Sequence, residues 1–133
     1  MIQRNQSTKI LPLPTEAELA ILNILWTMGP STVREVHNAL SSKHTGYTTI
    51  LKQMQVMTEK GLLARSERFR SHVYEARASK AQTQHQLARN LVQRAFDGSA
   101  KNLVLGALSS QKVSPAELAE IRRLLDEFEK GSL

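Results

Sequence analysis

The side chains in this sequence best suited to chemistry without a cofactor are arginines, and they are bunched. Arg65, Arg68, Arg70 and Arg77 fall within thirteen residues. Guanidinium groups at that density can neutralise phosphates and release the counterions condensed on a polyanion. Charge alone would equally suit a solvated hairpin kept soluble by its surface, so the preceding segment decides. Residues 47–60 place Ile50, Leu51, Met54 and Met57 at helical spacing on one side. The other side is left with the hydroxyls of Thr48 and Thr49, the ammonium of Lys52 and the amide of Gln55. Such donors and acceptors suit base edges in a DNA major groove, and cations beside them suit the backbone. Gln55 has the amide geometry for a bidentate pair with adenine, whereas Val56 can offer only apolar contact, for example to a thymine methyl.

Other chemistries lack their parts. There is no cysteine, hence no disulfide, thiolate metal site or cysteine nucleophile. His37, His44, His72 and His85 are scattered, with no two at i, i+4 spacing, so neither a metal site nor a cofactor is expected. No phosphate-binding glycine loop or nucleophile motif occurs, and Glu117, Glu120, Asp126, Glu127 and Glu129 read as the solvated face of a final helix. An enzyme is not expected. Trp26 and the methionines of residues 47–60 read as packing residues.

The elements that must hold these side chains follow from caps and apolar stripes. Capping-box spacing occurs at Thr15 with Glu18, Thr32 with Glu35, Ser79 with Gln82, and Ser114 with Glu117, the last followed by Pro115 at the first helical position. After Thr15, Leu19, Leu22, Ile24, Leu25 and Trp26 form the stripe of a first helix stopped by Gly29 and Pro30. Val33, Val36, Ala39 and Leu40 mark a short second helix ending near residues 41–44, and Gly61 is placed to cap the third. Residues 62–68 and 73–77 then switch to partly alternating polarity, which predicts a β-hairpin. Further on, Leu87, Leu91, Val92 and Phe96 predict a fourth helix, residues 103–108 a fifth, and Leu118, Ile121, Leu124, Leu125 and Phe128 a sixth.

Three helices followed by a basic hairpin is the order of a winged helix-turn-helix, in which the third helix enters the major groove and the hairpin lies along the flanking backbone. The expected fold is therefore mainly α with a small β-hairpin. A flexible N-terminus (1–11) leads into a winged helix-turn-helix (12–78), and a three-helix dimerisation arm (79–133) completes the chain. At 133 residues there is room for one such reader and a helical appendage. The net charge of +6 suits a polyanionic partner, and it is weighted toward the reader: residues 1–78 hold ten Lys or Arg against six Asp or Glu. No run approaches the roughly 18 apolar residues of a membrane span, and the first 30 residues lack a secretory apolar block, so a cytoplasmic protein without membrane insertion is expected.

A resemblance joins these features. Ala17-Glu18-Leu19 leading to Ile24-Leu25-Trp26, then Thr32-Val33-Arg34-Glu35-Val36, Tyr47-Thr48-Thr49-Ile50-Leu51 and Glu59-Lys60-Gly61-Leu62-Leu63, resemble the penicillinase repressors of the BlaI/MecI/CopY type. Phe96-Asp97-Gly98 followed by Leu103-Val104-Leu105, and Leu118 through Leu125, resemble that family's dimerisation region, so the likeness spans residues 12 to 130. It implies a homodimer that binds a palindromic operator in double-stranded DNA and represses a β-lactamase-type resistance or stress operon and its own gene. It also implies inactivation by a membrane sensor metalloprotease or another protease. Where staphylococcal-type members carry an Asn-Phe cleavage pair, this chain has Gly106-Ala107, and the C-terminal cysteines of copper-responsive members are absent. Many relatives also have two basic residues where this chain has Gln55-Val56.

The expected base readers are Thr48, Thr49, Lys52 and Gln55, with Tyr47, Arg65, Arg68 and Arg70 on the DNA backbone. Leu87, Leu91, Leu103, Val104, Leu108, Leu118, Ile121 and Leu125 are expected at the dimer interface. A protein adaptor of the same fold is the alternative, and it would need an apolar patch on the exposed face of the third helix.

Overall fold

The computed structural model describes residues 11–40, 45–68 and 70–131. The expected flexible segment before Leu11, His44 and the end of the second helix between Ser41 and His44 lie outside them. Among the described residues, six helices and one two-stranded sheet follow in the order α1 (Glu16–Met28), α2 (Val33–Ala39), α3 (Tyr47–Lys60), β1 (Leu63–Arg68), β2 (Ser71–Ala76), α4 (Lys80–Ala95), α5 (Ala100–Ser109) and α6 (Pro115–Glu129). The chain divides into two compact units, Met1–Ala88 and Arg89–Leu133, with the division inside α4.

In the first unit the caps form as their spacing predicts. Thr15 Oγ1 accepts from the Glu18 amide at 3.1 Å and Glu18 Oε1 accepts from the Thr15 amide at 3.0 Å. Thr32 and Glu35 repeat the exchange at the start of α2, and Ser79 and Gln82 at the start of α4. Each box satisfies two backbone donors that the first helical turn would otherwise leave open. Gly61 ends α3 at φ +89°, and its amide reaches Thr58 O at 3.1 Å while Leu62 N donates to Met57 O at 2.9 Å. That pair of bonds is a Schellman termination, which requires a left-handed residue and so favours glycine.

Ile21, Leu22 and Leu25 of α1, Val33 and Val36 of α2, and Ile50, Met54 and Met57 of α3 meet in one apolar core, closed beneath the hairpin by Leu62, Leu63 and Tyr74. Burying each such aliphatic or Met side chain contributes about 1.5–3 kcal/mol, enough in sum to fix the orientation of α3. The hairpin pairs antiparallel in the register Leu63↔Ala76 through Arg68↔Ser71. Ser31, just before α2, adds an isolated bridge to Tyr74, with N to O distances of 2.9 and 2.8 Å. The hairpin is thereby tied to the turn between α1 and α2. Trp26 is half-buried against the core and donates its indole N–H to Ala78 O at 3.0 Å. The start of α4 belongs to this unit as well, since Thr83 is buried and the Gln86 amide donates to Leu11 O.

The second unit is built differently. Val92 O accepts from Gly98 N at 2.9 Å, closing a turn in which Asp97 and Gly98 both have positive φ. Ser99 then caps α5 and Ser114 caps α6, each hydroxyl accepting from the third helical amide at 3.1 Å. At Ser114 the reciprocal bond of a box, in which the Glu117 carboxylate would accept from the Ser114 amide, is not formed. A Cβ placed on Gly106 would lie 3.5 Å from Cε1 of Phe96, so that ring packs on the glycine of α5. No residue of α5 or α6 is buried.

Candidate nucleic-acid interface

Helix α3 is two-faced because its apolar residues recur at three- and four-residue spacing. Ile50, Met54 and Met57 are 0–2% exposed, which presses that stripe into the core. Thr48, Thr49, Lys52 and Gln55, the expected base readers, all lie on the exposed side. Leu51, expected on the anchoring face, is only half-buried. The helix begins without a side-chain cap, since its N-cap is Gly46 and its first turn holds no carboxylate. Nothing negative therefore stands beside Thr48 and Thr49 within that turn.

Tyr47, the first residue of α3, is 37% exposed and its ring is held from two sides. Arg34 of α2 places its guanidinium carbon 4.8 Å from the ring centroid. His37 meets the ring edge-on at 6.1 Å and 83°, and its Nε2 lies 3.0 Å from Thr45 O. Arg34 was not among the expected site residues, because the twelve positions between it and Tyr47 hide a contact that only the packing of α2 against α3 creates.

The hairpin presents the expected cations. Arg65 and Arg68 on β1 and Arg70 in the turn are exposed, as is Arg77 beyond β2. Arg70 sits at φ +65°, the left-handed region that β-carbon sterics disfavour. Of β1, only Leu63 is buried, so the strand's remaining five residues face solvent. Glu67 partly offsets the positive charge and faces His72 across the strands at 4.0 Å. Arg65 lines a shallow cleft of about 300 Å³ together with Gln55, Thr58 and Glu59. One wing cation and one expected base reader thus share a groove.

Beneath α3 lies an ion pair that the spacing of residues did not announce. Lys60 Nζ is 2.7 Å from Glu18 Oε2, and Glu18 is 5% exposed. Burial pushes the Glu18 carboxyl upward, but the hydrogen bonds and charge of Lys60 and the Thr15 cap outweigh it and hold the group below its ordinary value of 4.5. Glu18 was expected only as a capping residue, and the same carboxylate also joins the two ends of the reader scaffold.

In the second unit the expected interface residues are incompletely covered. Leu91, Val104 and Leu125 are exposed, and Leu103, Leu108, Leu118 and Ile121 are half-buried, as is Leu87 at the end of the first unit. Leu105 and Phe128 stand out at 61% and 67% exposed. Among the described residues no cluster of three His, Asp or Glu could hold a metal ion, and no helix is long and apolar enough to cross a membrane.

A third helix with its apolar face locked in the core and its polar face open, followed by a basic hairpin, is the arrangement of a winged helix-turn-helix. The sequence profile of the penicillinase repressor family matches residues 14–127, and the chain belongs to that family. Similar proteins include the transcriptional regulator BlaI of Mycobacterium tuberculosis, 29% identical over 118 residues that cover 87% of this chain and 85% of the relative. The penicillinase repressor of Bacillus licheniformis is 23% identical over 120 residues, 90% of this chain and 94% of the relative. A MarR family protein of Bacillus stearothermophilus of known structure overlays with a TM-score of 0.46 at 16% identity, covering 98% of this chain and 80% of that one. The family is one of repressors and not of enzymes.

Proposed function

We propose that this chain is a sequence-specific DNA-binding repressor that acts in the cytoplasm as a homodimer on a palindromic operator. The observation that carries the reading is the open face of α3, where hydroxyl, ammonium and amide groups project from a helix whose other face is locked in the core. Thr48, Thr49, Lys52 and Gln55 read bases. Tyr47, Arg65, Arg68 and Arg70 hold the backbone and set the register of the helix in the groove.

The second unit supplies dimerisation. Its exposed Leu91, Val104, Leu105, Leu125 and Phe128 are the kind of surface a monomer rarely leaves in water, and a second copy would cover it, together with Leu87, Leu103, Leu108, Leu118 and Ile121. Likeness to the named repressors supports a β-lactamase-type resistance or stress operon, and the chain's own gene, as targets. A membrane sensor metalloprotease or another protease fits as the inactivating partner. Gly106-Ala107, within α5, stands where some members carry the Asn-Phe cleavage pair, so inactivation would use a different cut or no cut.

Selection of duplexes from a random-sequence pool by the purified full-length chain tests the reading. An enriched inverted repeat, with half-sites about 10 bp apart or a multiple of it, is the expected result. A pool that stays random after several rounds would contradict it.

A further inference from the structure

We infer that Arg34 is a phosphate-contacting residue of the interface, held in place by the ring of Tyr47, so that the DNA-binding surface extends from α3 and the hairpin onto α2. The inference rests on the reading of the chain as a DNA-binding protein and adds to it a residue from a different element.

Three observations carry it. Arg34 is exposed, and among the described residues it forms no ion pair. The neighbouring carboxylate of Glu35 is turned to the Thr32 amide in the capping box at 2.9 Å, so it is engaged elsewhere. The guanidinium nonetheless has a fixed seat: its carbon lies 4.8 Å from the centroid of the Tyr47 ring, which also makes a T-shaped contact with His37. A guanidinium held over a ring by this attraction spends none of its N–H groups on the contact, so they remain able to fork onto phosphate oxygens. Long cationic side chains lose rotamer freedom when they bind, and one already held over a ring has less to lose. Tyr47 directly precedes Thr48 and Thr49, so this seated cation borders the expected base readers. A merely solvated arginine would need no such support.

Tyr47 is then a positioning residue for Arg34 in addition to any contact its own hydroxyl makes, and the two roles separate by substitution. Binding is measured by titration over a series of salt concentrations, with both a random-sequence duplex and a duplex selected by the wild-type chain. Arg34→Ala is expected to weaken both on the order of tenfold and to make the slope of log K against log[salt] shallower by about 0.9, the value for one phosphate. Thermal unfolding of the variant should be unchanged, since the side chain is exposed. Tyr47→Phe keeps the ring and should keep the Arg34 contribution, whereas in a Tyr47→Leu background Arg34→Ala should cost less than about twofold, because the seat is already gone. An Arg34→Ala variant with wild-type affinity and slope would overturn the inference while leaving the DNA-binding reading intact. An undiminished Arg34→Ala loss in the Tyr47→Leu background would overturn the positioning role of the ring. A wild-type chain that binds neither duplex would overturn both this inference and the reading beneath it.

Discussion

Glu18 shows how much a single side chain can do in a small reader. Its carboxylate closes the capping box of α1 and, through Lys60, ties the start of that helix to the end of α3. Because the folded-state value lies below the ordinary 4.5, the linked stability is fully present above that pH and is lost as the pH falls through the folded value. Replacing Lys60 with Met removes the strongest influence opposing burial, so the carboxyl should rise. The variant is expected to lose roughly 1–2 kcal/mol at neutral pH, less than a fully buried pair because Lys60 is partly exposed. Its stability should also depend less on pH in the acid range than that of the wild type, because the folded value moves back toward the unfolded one. Chemical denaturation at a series of pH values down to about 3 measures both, and an unchanged acid limb would show that the pair is not the acid-sensitive element. The sequence displayed Glu18 as a cap because that partner is three residues away. It could not display the ion pair, because Lys60 is 42 residues away and only the packing of the core brings it near.

At the scale of elements, what the sequence made plain was local chemistry. Caps at Thr15, Thr32 and Ser79 and the glycine stop at Gly61 depend on residues three to five apart, and each is where the spacing puts it. The bridge from Ser31 to Tyr74 was not legible, because a lone pair of backbone bonds leaves no side-chain pattern. Nor was the seating of Arg34 on Tyr47, which depends on the angle between α2 and α3. Ser114 carries its hydroxyl cap without the reciprocal bond, so box spacing alone overstated that helix start. Helix α3 offers a test of how its start is tuned. Gly46 has extended backbone, φ −80° and ψ 167°, and a Cβ there would meet nothing within 4 Å. Gly46→Asp should therefore supply the missing cap and raise stability by a few tenths to about 1 kcal/mol. The same carboxylate would sit beside Tyr47 and Thr48 and repel phosphate, so DNA affinity should fall while the melting temperature rises. Parallel thermal unfolding and duplex titration check this, and a variant gaining stability with unchanged affinity would place the start of α3 away from the DNA.

At the scale of the whole molecule the two units bury apolar surface in different ways. The first closes its own core, with eleven buried residues in one apolar cluster, whereas α5 and α6 of the second bury none. Apolar stripes in the sequence foretold helices in the second unit, but only a folded single chain reveals how much of those stripes stays uncovered. Because Thr83 is buried and Gln86 bonds to Leu11, a chain ending at Ala88 should retain the fold of the first unit. It is expected to be monomeric and to bind a palindromic duplex more weakly by a factor on the order of 10² to 10⁴, the avidity lost when two readers are unlinked. Analytical ultracentrifugation and titration at one fixed salt concentration decide this. A truncated chain that remains dimeric, or binds as tightly as the full chain, would remove dimerisation from the second unit.

The central claim, that the open face of α3 reads base sequence, is tested most directly by the ratio of affinities for a selected duplex and a random one. Phosphate contacts affect both duplexes alike, whereas base contacts count only on the selected site. Lys52→Ala and Gln55→Ala should each reduce the ratio, by about 1–3 kcal/mol for a good bidentate contact, whereas Arg68→Ala and Arg70→Ala should weaken both duplexes and leave it nearly constant. If all four substitutions changed the two affinities by the same factor, α3 would not be the reader.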